Sequence, residues 1–187
     1  MPFVDGDDLH PQVNIDKMAA GEPLTDADRE PWLKLIRKKA EEVLVAEEDR
    51  AVVGDYLLRK PNTKARGVVV ACSALKKSYR DILRRTTTTT TNKGLLAEMT
   101  DCDCNNNKET LCTYFVFIKG ERELLRERME KRDGHFMKIN MLESQLSTLE
   151  EPTDGEEDVV VVSLEDETDE QVRSAREGLR SLVDISL

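Results

Sequence analysis

The chain has 187 residues, enough to bury one sizeable core, with 39% apolar and only 4% aromatic residues and a formal net charge of −10. The charge is local: Glu150–Glu170 holds eleven acidic residues and no Lys or Arg, leaving 28 basic against 27 acidic residues elsewhere. A body so close to neutral excludes a general basic face for nucleic acid, and the acidic stretch reads as a solvated loop and helix start.

Taken in chain order, Phe3-Val4 reads as a strand end that delivers Asp5 and Asp7 to its carboxyl edge. Val13–Ala20 suits a short helix stopped by Gly21. Thr25-x-x-Asp28 has the pattern of a helix N-terminal cap, and Pro31 suits the first turn of the helix that follows. Trp32, Leu35, Ile36 and Val43 recur at helical spacing as its apolar face. Ala46–Arg66 mixes charge with Gly54 and Pro61 and is expected to be a long surface connection. Gly67–Cys72 is a continuous apolar run, as in a strand buried on both faces of a parallel sheet, and Ser78–Arg85 follows as a short helix.

Arg85–Thr110, with six consecutive threonines and an Asn-Asn-Asn run, reads as a low-complexity insertion. Thr113–Ile118 is a second buried strand, and Glu121–Lys131 a charged helix. Ile139–Leu149 is a helix with Leu142, Leu146 and Leu149 on one side. Val159–Val162 is a third buried strand, and Thr168–Val183 a closing helix. Strands alternating with helices predict a single α/β domain built on a parallel sheet.

Cys72, Cys102, Cys104 and Cys112 lack the spacing of a zinc site, so reduced thiols are expected. No targeting segment or long apolar run is visible, which predicts a cytoplasmic protein that engages no membrane.

Four groups of residues carry chemistry. Side chains of a strand repeat every two residues, so Asp5 and Asp7 are expected on one side, at the sheet edge where open α/β folds bind ligands. One carboxylate could hold Mg²⁺ through water while the other orients an alcohol; a solvated acidic turn with Asp8 capping the next helix is the plainer alternative. Arg29, beside Asp26 and Asp28, is either a helix ion pair or a two-pronged clamp on a substrate carboxylate. Lys76, Lys77 and Arg80 follow directly on a buried strand, and three cations there are costly unless an anion shares the site. Arg128 and Arg132 lie one helical turn apart before Gly134-His135-Phe136, as in a lid over residues 128–140 that closes on phosphates. Glu123, Glu127 and Glu130 offer them ordinary helix pairs instead, and His135 reads as a lid packing residue.

Together these segments resemble the gluconate kinases of the P-loop kinase superfamily. Asp5-Gly6-Asp7-Asp8-Leu9-His10-Pro11, the Asn14–Trp32 stretch, Cys72–Asp81, Gly134-His135-Phe136-Met137 and Leu149-Glu150-Glu151-Pro152 fall in family order. The resemblance spans nearly the whole chain apart from residues 46–66 and 85–110. It implies a three-layer, nucleoside-monophosphate-kinase-like parallel sheet with helices on both faces. It also implies ATP-dependent phosphorylation of D-gluconate to 6-phosphogluconate, with ATP and Mg²⁺, and allows a homodimer. Position by position, Asp5 would serve Mg²⁺ and Asp7 the reacting hydroxyl. His10, Arg29, Lys76, Lys77 and Arg80 would match substrate- and phosphate-binding positions, with Lys76 also catalytic. Arg128 and Arg132 would match the nucleotide-side lid arginines, Arg132 catalytic among them.

The chain departs from the family in Leu146-Ser147, where a Phe-Glu pair is expected after Gln145, and in the threonine-rich stretch. No G-x-x-x-x-G-K-[ST] loop occurs, so the first strand, phosphate loop and first helix, roughly 30 residues in such kinases, are expected to be missing. That strand would lie between Val68–Cys72 and Thr113–Ile118. The alternatives to an active kinase are another small-molecule kinase, a fragment, and a catalytically dead gluconate-binding protein.

Overall fold

The computed structural model describes residues 1–58, 67–84, 111–131 and 139–183, with side chains described for all of these but 47–58, 139–140 and 183. The elements are β1 (Phe3–Asp5), a 3-10 turn (Asp7–Leu9), α1 (Gln12–Ala20), α2 (Asp26–Leu58), β2 (Val69–Ala71), α3 (Lys77–Arg84), β3 (Phe115–Lys119), α4 (Arg122–Glu130), α5 (Ile139–Thr148), β4 (Val159–Ser163) and α6 (Thr168–Val183). They sort into two compact units, Met1–Pro11 with Thr25–Thr113 and Gln12–Leu24 with Tyr114–Leu187.

In the first unit β1 and β2 pair in parallel, Phe3 opposite Val69 and Asp5 opposite Ala71. The ladder continues one step, as the Gly6 amide donates to Ala71 O at 2.8 Å. α2 starts at the expected capping box: the Asp28 amide donates to Thr25 Oγ1 at 3.3 Å, and the Thr25 amide to Asp28 Oδ2 at 2.9 Å. Pro31 then falls inside α2 and not in its first turn, so the helix gives up one internal hydrogen bond there.

Trp32 and Leu33 are both 0% exposed and Ile36 is 2%, whereas Leu35 is 43% exposed. The apolar stripe is therefore rotated from the expected one, with Leu33 in place of Leu35. It runs on through Ala40 and packs with Tyr79 and Leu83 of α3 as the core of this unit. Of the expected connection at Ala46–Arg66, the part up to Leu58 is helical and continues α2; residues 59–66 lie outside the described range. Helix formers dominate there, and Gly54 alone costs about 1 kcal/mol, too little to stop a long helix.

In the second unit β3 and β4 pair in parallel, Phe115 opposite Val159 and Lys119 opposite Ser163. α6 lies close on β4: a Cβ built on Gly178 would stand 2.5 Å from Val160 Cγ1, so only glycine admits this approach. Met18, Leu24 and Met141 form a buried cluster. α1 ends in a Schellman motif, with Gly21 at φ 82, its amide donating to Met18 O and the Glu22 amide to Lys17 O. Arg122 and Arg126 of α4 both pair with Glu143 of α5.

The strands form two two-stranded parallel pairs, and among the described residues no ladder joins β2 to β3, the place where the sequence leads one to expect a gap in the parallel sheet. The strands expected to be buried on both faces leave Val69, Val116, Ile118 and Val161 about half exposed. A two-stranded pair has too few neighbours to enclose both faces. The thiol expectation holds for Cys72, which is free, and fails for Cys112, which is disulfide-bonded. The threonine-rich insertion at 85–110 lies outside the described residues. No described helix is long and apolar enough to cross a membrane.

Candidate active site

The carboxyl end of β1 turns sharply. Gly6 is helical (φ −64, ψ −28), and the 3-10 turn begins at Asp7. Strand alternation therefore stops at Asp5, and Asp7 does not follow it onto the same side as expected. What joins the two residues is a turn: the Asp7 amide donates to Asp5 Oδ1 at 3.0 Å, with both residues exposed. Asp5 thus spends one oxygen fixing the backbone of Asp7.

Gly6 anchors that turn from below. It is buried, and an added Cβ would lie 2.6 Å from Ala71 O and 3.1 Å from Ile36 Cδ1. Its carbonyl accepts a 2.7 Å hydrogen bond from Trp32 Nε1. His10 closes the turn by stacking on Trp32, centroids 4.1 Å apart and planes 11° from parallel. Burial pushes the His10 imidazole below its usual pKa of 6.5; Asp7 raises it and Arg29 lowers it further.

A second cluster joins the start of α2 to the start of α3. Lys76 Nζ sits 2.8 Å from both Asp26 oxygens, and the Tyr79 hydroxyl donates to Asp26 Oδ1 at 2.5 Å. These two bonds hold the Asp26 carboxyl below the usual carboxylate range, the Lys76 contact first. Arg29, only 4% exposed, has its Cζ 6.0 Å from the Tyr79 ring centroid, and Lys76 Nζ is 5.6 Å from the same centroid. Burial lowers the Arg29 pKa, while Tyr79, Asp26 and Asp28 oppose the shift, and a guanidinium under that balance stays a cation. Arg80, 3% exposed, donates to Ala74 O at 3.2 Å. The anion that the cations required is thus supplied to Lys76 by the chain itself, as Asp26.

The first unit therefore holds Asp5, Asp7, His10, Arg29, Lys76, Lys77 and Arg80 of the expected set. Lys77 stands on the exposed side of α3, paired with Asp81. Arg128 is exposed on α4 of the second unit; Arg132 and His135 lie outside the described residues. Cys72 follows β2 as a thiol pushed up to about 11 by burial and by Asp7, which makes it a poor nucleophile. Among the described residues no three His, Cys, Asp or Glu side chains gather as a metal site. The sequence places Trp32 on the buried face of α2 and marks Asp26 as an ion-pair candidate, but shows neither the Trp32–Gly6 bond nor the pairing of Asp26 with Lys76 and Tyr79. Each of these contacts spans 26 or more residues of sequence, so no local pattern signals it.

No protein-family model matches the chain. It is 34% identical over 178 residues to the thermoresistant gluconokinase of Escherichia coli strain K12, covering 95% of this chain and 78% of that protein. It is 35% identical to a probable gluconokinase of Schizosaccharomyces pombe, covering 87% of this chain and 66% of that one. The crystal structure of a gluconokinase from Sinorhizobium meliloti 1021 matches with a TM-score of 0.66 and 37% identity, over 98% of this chain and 79% of the other. With its parallel strand pairs and flanking helices, the chain has the α/β fold of a P-loop-type small-molecule kinase. It belongs to the gluconokinase family.

Proposed function

We infer that the chain binds D-gluconate and belongs to an enzyme that phosphorylates it from ATP, giving 6-phospho-D-gluconate. The observation that carries this reading is the gathering, in one unit, of two carboxylates on a fixed turn with the cations Arg29, Lys76 and Arg80. A sugar acid needs such a set: cations for its carboxylate, and a carboxylate to orient the hydroxyl that attacks.

In this reading Arg29 and Lys76 hold the substrate carboxylate, with Lys77 and Arg80 adding positive charge nearby. Asp7 accepts a hydrogen bond from the terminal hydroxyl, aims its oxygen and takes its proton. Asp5 offers Mg²⁺ a hard oxygen ligand on a carboxylate already fixed by the Asp7 amide, which suits an ion that keeps most of its waters. The ion would neutralise charge on the phosphates. Arg128 and Arg132 are proposed as the nucleotide-side cations. No G-x-x-x-x-G-K-[ST] loop among the described residues offers a run of backbone amides to the nucleotide phosphates. A cytoplasmic, homodimeric enzyme is part of the same proposal.

The second reading is a gluconokinase-like protein that binds gluconate without turnover. Calorimetric titration with D-gluconate, followed by a gluconate-dependent ADP-release assay with MgATP, separates the two. Binding with turnover supports the kinase, and binding alone the second reading. Failure to bind gluconate overturns both.

A further inference from the structure

Tyr79 contacts each of Asp26, Arg29 and Lys76. Its hydroxyl is bonded to Asp26 Oδ1, the oxygen that also accepts from Lys76 Nζ. Its ring lies within about 6 Å of both cationic groups, the range of cation–π attraction. The side chain is only 3% exposed, so its ring cannot swing away, and a buried phenol keeps its hydroxyl bonded. Two cations held at one ring repel each other unless an anion lies between or beside them. Asp26 does this for Lys76 but is itself largely exposed, 67% at the side chain, and the Tyr79 hydroxyl gives it a second, buried anchor.

We propose that Tyr79 is a positioning residue for anion recognition: its hydroxyl fixes Lys76 through Asp26 and its ring fixes Arg29, setting the spacing of two cations that receive a substrate carboxylate. The inference deepens the gluconate reading and rests on it. An arriving carboxylate meets a pair of cations already ordered, so less side-chain freedom is lost on binding. Tyr79 touches no substrate in this scheme.

The test is calorimetric titration of the whole chain with D-gluconate for wild type, Tyr79→Phe, Lys76→Met and the double variant, with a thermal melt of each. Tyr79→Phe keeps the ring and the buried volume and removes only the hydroxyl. We expect its gluconate Kd to rise about three- to tenfold with the melting temperature little changed. In the Lys76→Met background the same substitution should have no further effect, because the cation it positions is gone. Wild-type affinity in Tyr79→Phe overturns the proposal, and so does a loss that simply multiplies with that of Lys76→Met, which marks general structural damage. Wild-type protein that binds no gluconate overturns the functional reading, and this inference with it.

Discussion

His10 lies flat on Trp32, and the same indole donates its N–H to Gly6 O, so one side chain of α2 grips both ends of the turn that carries Asp7. The stack hides the imidazole from water, which disfavours its charged form and lowers its pKa below 6.5. The folded state then binds fewer protons than the unfolded one. The His10 contribution to stability is complete above pH 6.5 and lost as pH falls through the lower folded-state value.

Ring-proton NMR titration checks this directly, since the chain has only two histidines and His10→Gln assigns the signal. The His10 midpoint should lie under 6.5 and move up towards it in Trp32→Leu. A midpoint at or above 6.5 in wild type would refute the packing argument.

Gly6→Ala should destabilise the first unit by about 1–3 kcal/mol, the usual range for overpacking. The cause is space and not backbone conformation, because Gly6 already has ordinary helical angles. The new methyl would press on Ala71 O, a backbone atom that cannot swing aside, at 2.6 Å. A lower midpoint in urea, with gluconate affinity weakened in parallel, is the expected result.

Arg37 is a buried cation whose described contacts are all within the fold. It donates to Leu83 O at 2.8 Å, Thr113 Oγ1 at 2.7 Å and Leu111 O at 3.1 Å, and pairs with Glu41. These bonds tie residues 111–113 to α2 and α3. Arg37→Met removes the charge together with the bonds and strands several acceptors, so unfolding should become easier by about 3 kcal/mol. Arg37→Lys should recover little, since an ammonium cannot reproduce the fork. Chemical denaturation of both variants checks the pair of outcomes.

Arg29→Lys and Asp7→Asn separate binding from chemistry. Loss of the planar fork in Arg29→Lys should raise the gluconate Kd about tenfold. Asp7→Asn keeps the size of the side chain, so gluconate binding should stay within a few-fold while any turnover drops by about 10²–10⁴. Titration and ADP release measured side by side on the two variants report the split, and a matching loss in both assays for both variants would reject it.

Local signals were legible in the sequence. The Thr25–Asp28 box, the Gly21 stop and the run of α6 from Thr168 to Val183 all stand where their residues place them. Phase was harder to read. Arg37 sits in the buried stripe of α2, and a charged residue there hid the choice between Leu33 and Leu35. Strand alternation misled at Asp7 because a 3-10 turn replaced the strand after one residue. The site's cations were legible as charges at a strand end. Their arrangement was not, because Asp26 meets Lys76 and Tyr79 across 50 and 53 residues of sequence, and no local pattern encodes such a meeting.

Gly21 and the helix it ends have a consequence for biosynthesis. α1 belongs with the later half of the chain, and Met18 and Leu24 complete their cluster with Met141. A ribosome making this protein releases α1 early, but its apolar partner does not exist until nearly all of the first unit has emerged. During that interval Met18 and Leu24 are bare to other chains and to chaperones, and the unit cannot close in order of synthesis. Nascent chains stalled before Met141 should therefore be protease-sensitive at α1 even when the segment that follows it has already folded.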